Sequence, residues 1–246
     1  MAEQKDAIIY GKHPVADAVA NEKPLDKVWI QIGTGGETVS QLRRDCKTRN
    51  IPCQMVPKEK MNKITKENHQ GVIAFLAMVG YQKMENLLPL AFEQETDPLV
   101  VILDGVTDVR NVGAIARSAE VLGANFMVIG KKNAARVNSE AMKASAGALN
   151  VIPVCRENSL MEVADYLKMS GFRILASDLK GRKQIQEMDF TGPVAIIMGS
   201  EDKGVNRMLL EKVDEKFIIP QAGQTDSLNV SVAAGIILYE VNRQRI

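Results

Sequence analysis

The chain has 246 residues, of which 46% are apolar and 25% charged, values ordinary for one large globular domain or two modest ones. Lys and Arg total 31 against 30 Asp and Glu, so net charge selects no partner, and the composition excludes collagen-like, disulfide-scaffold and wholly disordered chains. No apolar run approaches the ~18 residues that a membrane span needs.

Residues 1–80 hold 12 basic and 9 acidic side chains, net +3, and the remainder 19 and 21, net −2. A mildly basic front suits a phosphate-binding face. The opening residues Met1-Ala2-Glu3-Gln4-Lys5-Asp6 lack the apolar stretch of a secretory leader. Cys46, Cys53 and Cys155 include no CxxC, and reduced thiols in a cytoplasmic protein are the expectation.

In chain order, residues 6–10 lead into Gly11-Lys12-His13-Pro14, and 15–21 read as a short helix. The run KVWIQI at 27–32 is β-branched and aromatic, as a strand requires, and ends at Gly33-Thr34-Gly35-Gly36. Residues 37–50 form an amphipathic helical pattern, 51–56 a strand broken by Pro52, and 72–77 a strand entered through Asn68-His69-Gln70-Gly71. Residues 81–96 carry Pro89 and mixed periodicity, and we read them as a helical connector between a front domain, 1–80, and a back domain, 97–246. In the back domain strands are predicted at 99–103, 125–129, 173–176, 194–198 and 216–219, and helices at 111–122, 138–149, 159–170, 206–211 and 228–245. Strands this apolar, separated by helices, predict an α/β fold with a mostly parallel sheet covered on both faces.

Familiar site motifs fail. The glycines after residue 32 stop short of GxGxxG because position 38 is Thr, and Gly199-Ser200-Glu201-Asp202-Lys203-Gly204 runs into Val205-Asn206 where a Walker loop needs Lys and Ser/Thr. Its two acids would also repel a triphosphate. His13 and His69 stand without Cys/His spacing around them, so no metal site is expected, and no Gly-x-Ser-x-Gly elbow occurs. What remains are three polar, glycine-bearing stretches that follow predicted strands: 111–119, 198–204 and 218–233. Ligands of open α/β sheets bind beyond the carboxyl ends of strands, so the convergence of these three is the functional signal.

Single residues keep more than one reading. On a helix from Asn111, the apolar stripe Val112, Ile115, Ala119 and Leu122 leaves Arg117 on the opposite side, where it is a solvated surface cation or a phosphate ligand. Asn111 suits an N-cap and an active-site contact equally. Glu201 is a loop carboxylate, and Ser227 or Asp226 would cap the last helix. Ile219 and Leu228 could be plain core residues, and Lys12, Arg43, Arg44 and Lys47 an ordinary solvated face. Small residues Ala233, Ala234 and Gly235 permit close packing of the final helix, within its own subunit or on a second one.

The three stretches resemble, in order and approximate spacing, the signature motifs of the SpoU/TrmH family of RNA ribose 2′-O-methyltransferases. The front segment, with Ile9-Tyr10-Gly11-Lys12-His13-Pro14-Val15 and Asn68-His69-Gln70-Gly71-Val72, is similar to the small RNA-binding domain of the RlmB-like branch, which methylates a guanosine of bacterial 23S rRNA. The likeness covers nearly the whole chain. It implies S-adenosyl-L-methionine as methyl donor, RNA as substrate (23S rRNA, or alternatively tRNA), a deep C-terminal trefoil knot and a homodimer with its cleft near the subunit boundary. It places Asn111, Arg117, Glu201, Ser227 and Asn229 in the catalytic cleft, and gives Gly199, Ile219 and Leu228 the adenosine part of the cofactor, with no side chain at 199 to obstruct its approach. A catalytically silent RNA-binding assembly factor is the competing class, and it predicts a degraded cofactor loop. Here the loop glycines, Ser227 and Asn229 are all present.

Overall fold

A computed structural model describes residues 8–49, 51–135, 137–224 and 227–246, so the expectations for residues 1–6, Asn50 and Asp226 lie outside the described residues. The chain divides into two compact units, Met1–Gly80 and Tyr81–Ile246.

The smaller unit runs β1 (Ile8–Tyr10), α1 (Lys12–Ala20), β2 (Leu25–Gln31), α2 (Glu37–Thr48), β3 (Cys53–Val56), α3 (Lys58–Asn62) and β4 (Val72–Leu76). Its four-stranded sheet has the order β1-β4-β2-β3, with β3 parallel to β2 and β4 antiparallel to β1 and β2. The period of two along each strand splits the side chains between two cores. Val28, Ile30, Val72 and Ala74 join Val15, Ala18, Val39 and Leu42 of α1 and α2. Trp29 and Ile73 point the other way, to Val56 and Met61. α1 starts three residues before the predicted helix, because Pro14 falls within its first turn, where a missing N–H costs nothing. The Gly-Lys-His-Pro and Asn-His-Gln-Gly motifs are stitched together: Gly11 N–H donates to the Val72 carbonyl at 3.0 Å and Lys12 N–H to Gln70 Oε1 at 3.3 Å. His69 Nδ1 accepts from Gly71 N–H at 3.0 Å, and burial lowers the His69 pKa. The short α3 is not visible in the periodicity of so few residues.

The larger unit runs α4 (Met84–Phe92), β5 (Leu99–Asp104), α5 (Val109–Val121), β6 (Phe126–Gly130), α6 (Ser139–Ala144), β7 (Val154–Glu157), α7 (Leu160–Met169), β8 (Arg173–Ser177), β9 (Lys183–Gln184), β10 (Val194–Gly199), α8 (Arg207–Leu210), β11 (Glu215–Ile218) and α9 (Val230–Arg245). All the strand pairs are parallel, and the seven-stranded order is β7-β6-β5-β10-β8-β11-β9. The predicted α/β sheet is therefore observed. Its central strands are sealed on both faces: Val100 and Ile197 on one side and Val101 and Ile196 on the other are fully buried, each large side chain contributing about 1.5–3 kcal/mol relative to exposure. Among the described residues no helix is long and apolar enough to cross a membrane.

Three expectations need correction. The stretch 81–96 is not a bare connector: Met84, Leu87, Leu88 and Ala91 of α4 are buried in the core of the larger unit with Val100, Phe126 and Leu167. The helix predicted at 138–149 breaks after Ala144, since Ala146 and Gly147 take left-handed φ of 48° and 93°, and a single 3-10 turn follows at Ala148–Asn150. The edge strands β7 and β9 are additional. One is four residues long with two charges and the other only two residues, too short for alternation to show.

Candidate active site

In a parallel sheet every strand delivers its following loop to the same edge. The segments after β5, β10 and β11 therefore meet, and each carries residues singled out above. Asp108 caps α5, accepting from the Arg110 backbone N–H at 2.8 Å, and that bond, followed by the one from the Arg110 guanidinium, holds its carboxyl below the usual carboxylate range. Asn111 is thus not the cap. It stands in the first turn with its amide free to reach across: Nδ2 donates to Glu201 Oε1 at 2.9 Å, and Oδ1 accepts from Asn229 Nδ2 at 3.2 Å.

Asn229 closes the triangle, since its Nδ2 also lies 2.7 Å from Glu201 Oε1. It is the N-cap of α9, accepting from Ser231 N–H at 2.9 Å and Ser231 Oγ at 2.6 Å. The cap expected at Ser227 or Asp226 is thus at Asn229, and Ser227 lies two residues before it. Side chains from three segments far apart in sequence share one carboxylate oxygen. Glu201 Oε2 has no hydrogen-bond partner among the described residues.

Glu201 sits on a tight loop after β10, in which Gly204 N–H returns to the Ser200 carbonyl at 2.8 Å. A Cβ on Gly199 would stand 2.0 Å from the Gly204 carbonyl carbon and 2.1 Å from Val205 N. The glycine is required by the loop's own backbone, whatever ligand approaches it. One acid of this false Walker loop, Glu201, anchors the two asparagines.

Beside this triangle lies a cavity of about 650 Å³ lined by Gly199, Glu201, Ile219, Ser227 and Leu228. Ile219 is half-buried and Leu228 is 37% exposed, so both are cavity wall and neither is plain core. A wall that the sequence reading missed comes from the loop after β8, where Asp178 and Lys180 line the same space. Asp178 Oδ1 accepts from Lys180 N–H at 2.9 Å. The signal was available, for that loop also follows the carboxyl end of a strand. Asp104, ending β5, likewise fixes the far side by accepting from Asn206 N–H at 2.6 Å.

Arg117 is not brought into this group. It is exposed on α5, about 9 Å further along the helix axis than Asn111 at 1.5 Å per residue. Its guanidinium makes no hydrogen bond or ion pair among the described residues. Eight candidates therefore divide into seven that surround the triangle and cavity and one that stands apart on the same helix.

The geometry has counterparts. Residues 98–239 match the SpoU rRNA Methylase family, and residues 8–82 match the RNA 2′-O ribose methyltransferase substrate-binding family. A protein of Bacillus subtilis named as a TrmH family tRNA/rRNA methyltransferase is 36% identical over 245 residues, covering 100% of this chain and 98% of that one. The AdoMet-bound rRNA methyltransferase from Sinorhizobium meliloti superposes with a TM-score of 0.62 at 25% identity, over 98% of this chain and 88% of that chain. The A. aeolicus TrmH/SpoU tRNA modifying enzyme gives a TM-score of 0.57 at 31% identity, over 65% of this chain and 83% of that chain. The chain belongs to the SpoU/TrmH family of RNA methyltransferases.

Proposed function

We propose that the protein transfers a methyl group from S-adenosyl-L-methionine to a ribose 2′-hydroxyl of RNA, with a guanosine of 23S rRNA as the target. The observation that carries the reading is the Asn111–Glu201–Asn229 triangle at the mouth of the cavity. The cavity suits the donor: Met198, Ile219 and Leu228 offer apolar wall for an adenine, and Asp178, Glu201 and Asp202 offer negative charge to a cationic sulfonium. Its size falls within the range of nucleotide-sized sites. When bound there, the donor supplies an electrophilic methyl group already bearing its activating charge.

The rest is the work of this chain. Two amide donors on Oε1 fix the Glu201 carboxylate and leave Oε2 to accept a hydrogen bond from the ribose, turning its 2′-oxygen toward the methyl. Alignment of this kind converts a bimolecular encounter into an effectively unimolecular step. Ser227, on the cavity wall, adds a hydroxyl at the boundary between donor and ribose. Arg117 carries a planar, five-donor guanidinium. It therefore grips the adjacent phosphate with its planar fork and stabilises negative charge developing on the 2′-oxygen.

The reading extends to the assembly. Val232, Ile236 and Tyr239 of α9 are 51%, 38% and 61% exposed and recur at helical spacing, an apolar stripe of the kind that closes two-fold dimers. In a dimer through α9, Arg117 on the neighbouring α5 serves a site at the subunit boundary. Gly235 faces Ser118 of α5, 3.8 Å from where its Cβ would stand, so this small residue packs within its own subunit. The family's deep knot belongs to the same proposal. β10 lies between β5 and β8, and the chain reaches β11 beyond β8 before α9 returns to α5.

The front unit favours rRNA over tRNA: the rRNA methyltransferase named above is matched across both units, whereas the tRNA-modifying one is matched over about the length of the catalytic unit. Mapping 2′-O-methyl groups in RNA from a strain lacking this gene tests the choice. The reading expects one ribose methylation of 23S rRNA to vanish and tRNA to be unchanged; loss from tRNA alone overturns it.

A further inference from the structure

The loop of residues 200–206 walls the cavity along its whole length and is tied to distant parts of the chain near its start and at its end. Near the start, Glu201 takes the Asn111 and Asn229 amides. At the end, the Asn206 backbone N–H donates to Asp104 Oδ2 at 2.6 Å, a contact between residues 102 positions apart. The transfer step described above gives Asp104 no part. It ends β5 in register with Gly199 of β10, and it stands outside the cavity lining.

Between its two ties the loop folds on itself. Gly204 N–H donates to the Ser200 carbonyl at 2.8 Å, and Lys203 N–H to Ser200 Oγ at 3.2 Å. Those bonds fix how the loop curls, whereas the Asp104 bond fixes where its far end sits against β5. Asn206 carries that placement onward: its own Oδ1 accepts from Met208 N–H at 2.9 Å and caps α8. On either side of Asn206, Val205 and Leu209 are buried in the core of the larger unit.

We propose that Asp104 is a positioning residue for the methyl donor, holding the 200–206 loop in its donor-binding arrangement before the donor arrives. The inference rests on the reading of the cavity as the S-adenosyl-L-methionine site. A pocket formed in advance spares its ligand the cost of ordering it. Without the Asp104 bond the donor has to order that wall itself, and affinity falls. Glu201, still held by Asn111 and Asn229, keeps its aim once the donor is in place. Asp104 therefore acts on donor binding and the two asparagines on the transfer step.

Calorimetry with S-adenosyl-L-methionine and steady-state transfer to ribosomal RNA, both on the full-length chain, test this. Asp104→Ala should raise the donor Kd and KM by ~10-fold or more, as loss of a hydrogen bond to a charged acceptor does. Its kcat at saturating donor should stay within about threefold of the parent, the mark of lost binding and not of lost chemistry. Asp104→Asn keeps an oxygen acceptor at the same reach and should bind nearly as the parent does. Asp104→Glu keeps the charge, displaces the acceptor and should weaken binding as alanine does. Amide exchange in residues 200–206 of the donor-free protein should quicken in the alanine variant and not in the asparagine one. If alanine costs the fold, the contrast between asparagine and glutamate decides alone. Donor held by Asp104→Ala as tightly as by the parent would overturn the proposal. So would a loss in the asparagine variant but not in the glutamate one, which would make Asp104 a charge felt by the sulfonium. A parent that binds no donor would instead overturn the assignment of the cavity, and this inference with it.

Discussion

At Asn229 two tasks coincide, and they can be separated. Serine caps a helix about as well as asparagine but is too short to reach Glu201. Asn229→Ser should therefore leave the melting temperature nearly unchanged while lowering kcat at least ~10-fold, read by thermal unfolding beside a methyl-transfer assay. A parallel loss of both would mean that the residue is only a cap. Arg117→Ala should behave differently again. Transfer should fall by ~100-fold or more, in line with removal of a charge-stabilising group, while calorimetry finds donor affinity unchanged, because Arg117 lies outside the cavity lining. Collapse of donor binding would contradict the assigned role. At this scale the sequence named side chains that converge in the structure, Arg117 excepted, but could not settle which of them cap helices. Asp108 and Asn111 are both good cap residues three positions apart, and only the start of α5 at Val109 decides between them. The close return of residues 204–205 onto Gly199 involves backbone atoms, which no residue pattern reveals.

Among the elements, α9 presents the site at its first turn and is anchored at its last. Arg245 donates to the Asp97, Phe190 and Gly192 carbonyls at 2.6–3.1 Å, and Gln244 Nε2 to the Met188 carbonyl at 3.0 Å. Glu240 ties this end together, accepting from Arg243 Nη2 at 2.7 Å and Gln244 Nε2 at 2.8 Å. Those bonds, that from Arg243 foremost, lower its pKa to about 2. A carboxylate depressed on folding stabilises the native state fully above its unfolded value and loses that contribution as pH falls toward the folded one. Glu240→Gln should thus be less stable than the parent at pH 7 in urea titrations, and the gap should narrow steadily below about pH 4.5. A gap independent of pH would assign the effect to packing. Elements were legible where apolar runs were long: the residues of β5, β10 and α9 announce themselves. They were not where tertiary contacts override local pattern. α4 is buried through Leu87 and Leu88 despite Glu85 and Pro89, and the left-handed Ala146 ends a helix that composition would continue.

For the whole molecule, the sequence pattern conveyed a parallel sheet and a separate front unit, because buried parallel strands must be apolar throughout. Strand order was not legible, since the apolar runs of β5, β8 and β10 are interchangeable and only long-range packing places β10 between the others. The assembly is testable through its apolar stripe. Ile236→Glu should convert a dimer to a monomer in sedimentation velocity and abolish transfer with the fold intact by circular dichroism; a monomeric parent would refute the dimer. The central claim is that one pocket built from distant segments directs a methyl group to a sugar oxygen, and its most direct measurement is chemical. Full-length protein is incubated with ribosomal RNA and methyl-labelled S-adenosylmethionine, and the RNA is digested to nucleosides. A 2′-O-methylated nucleoside should carry all of the label; label on a base, or on no nucleoside, would contradict the account.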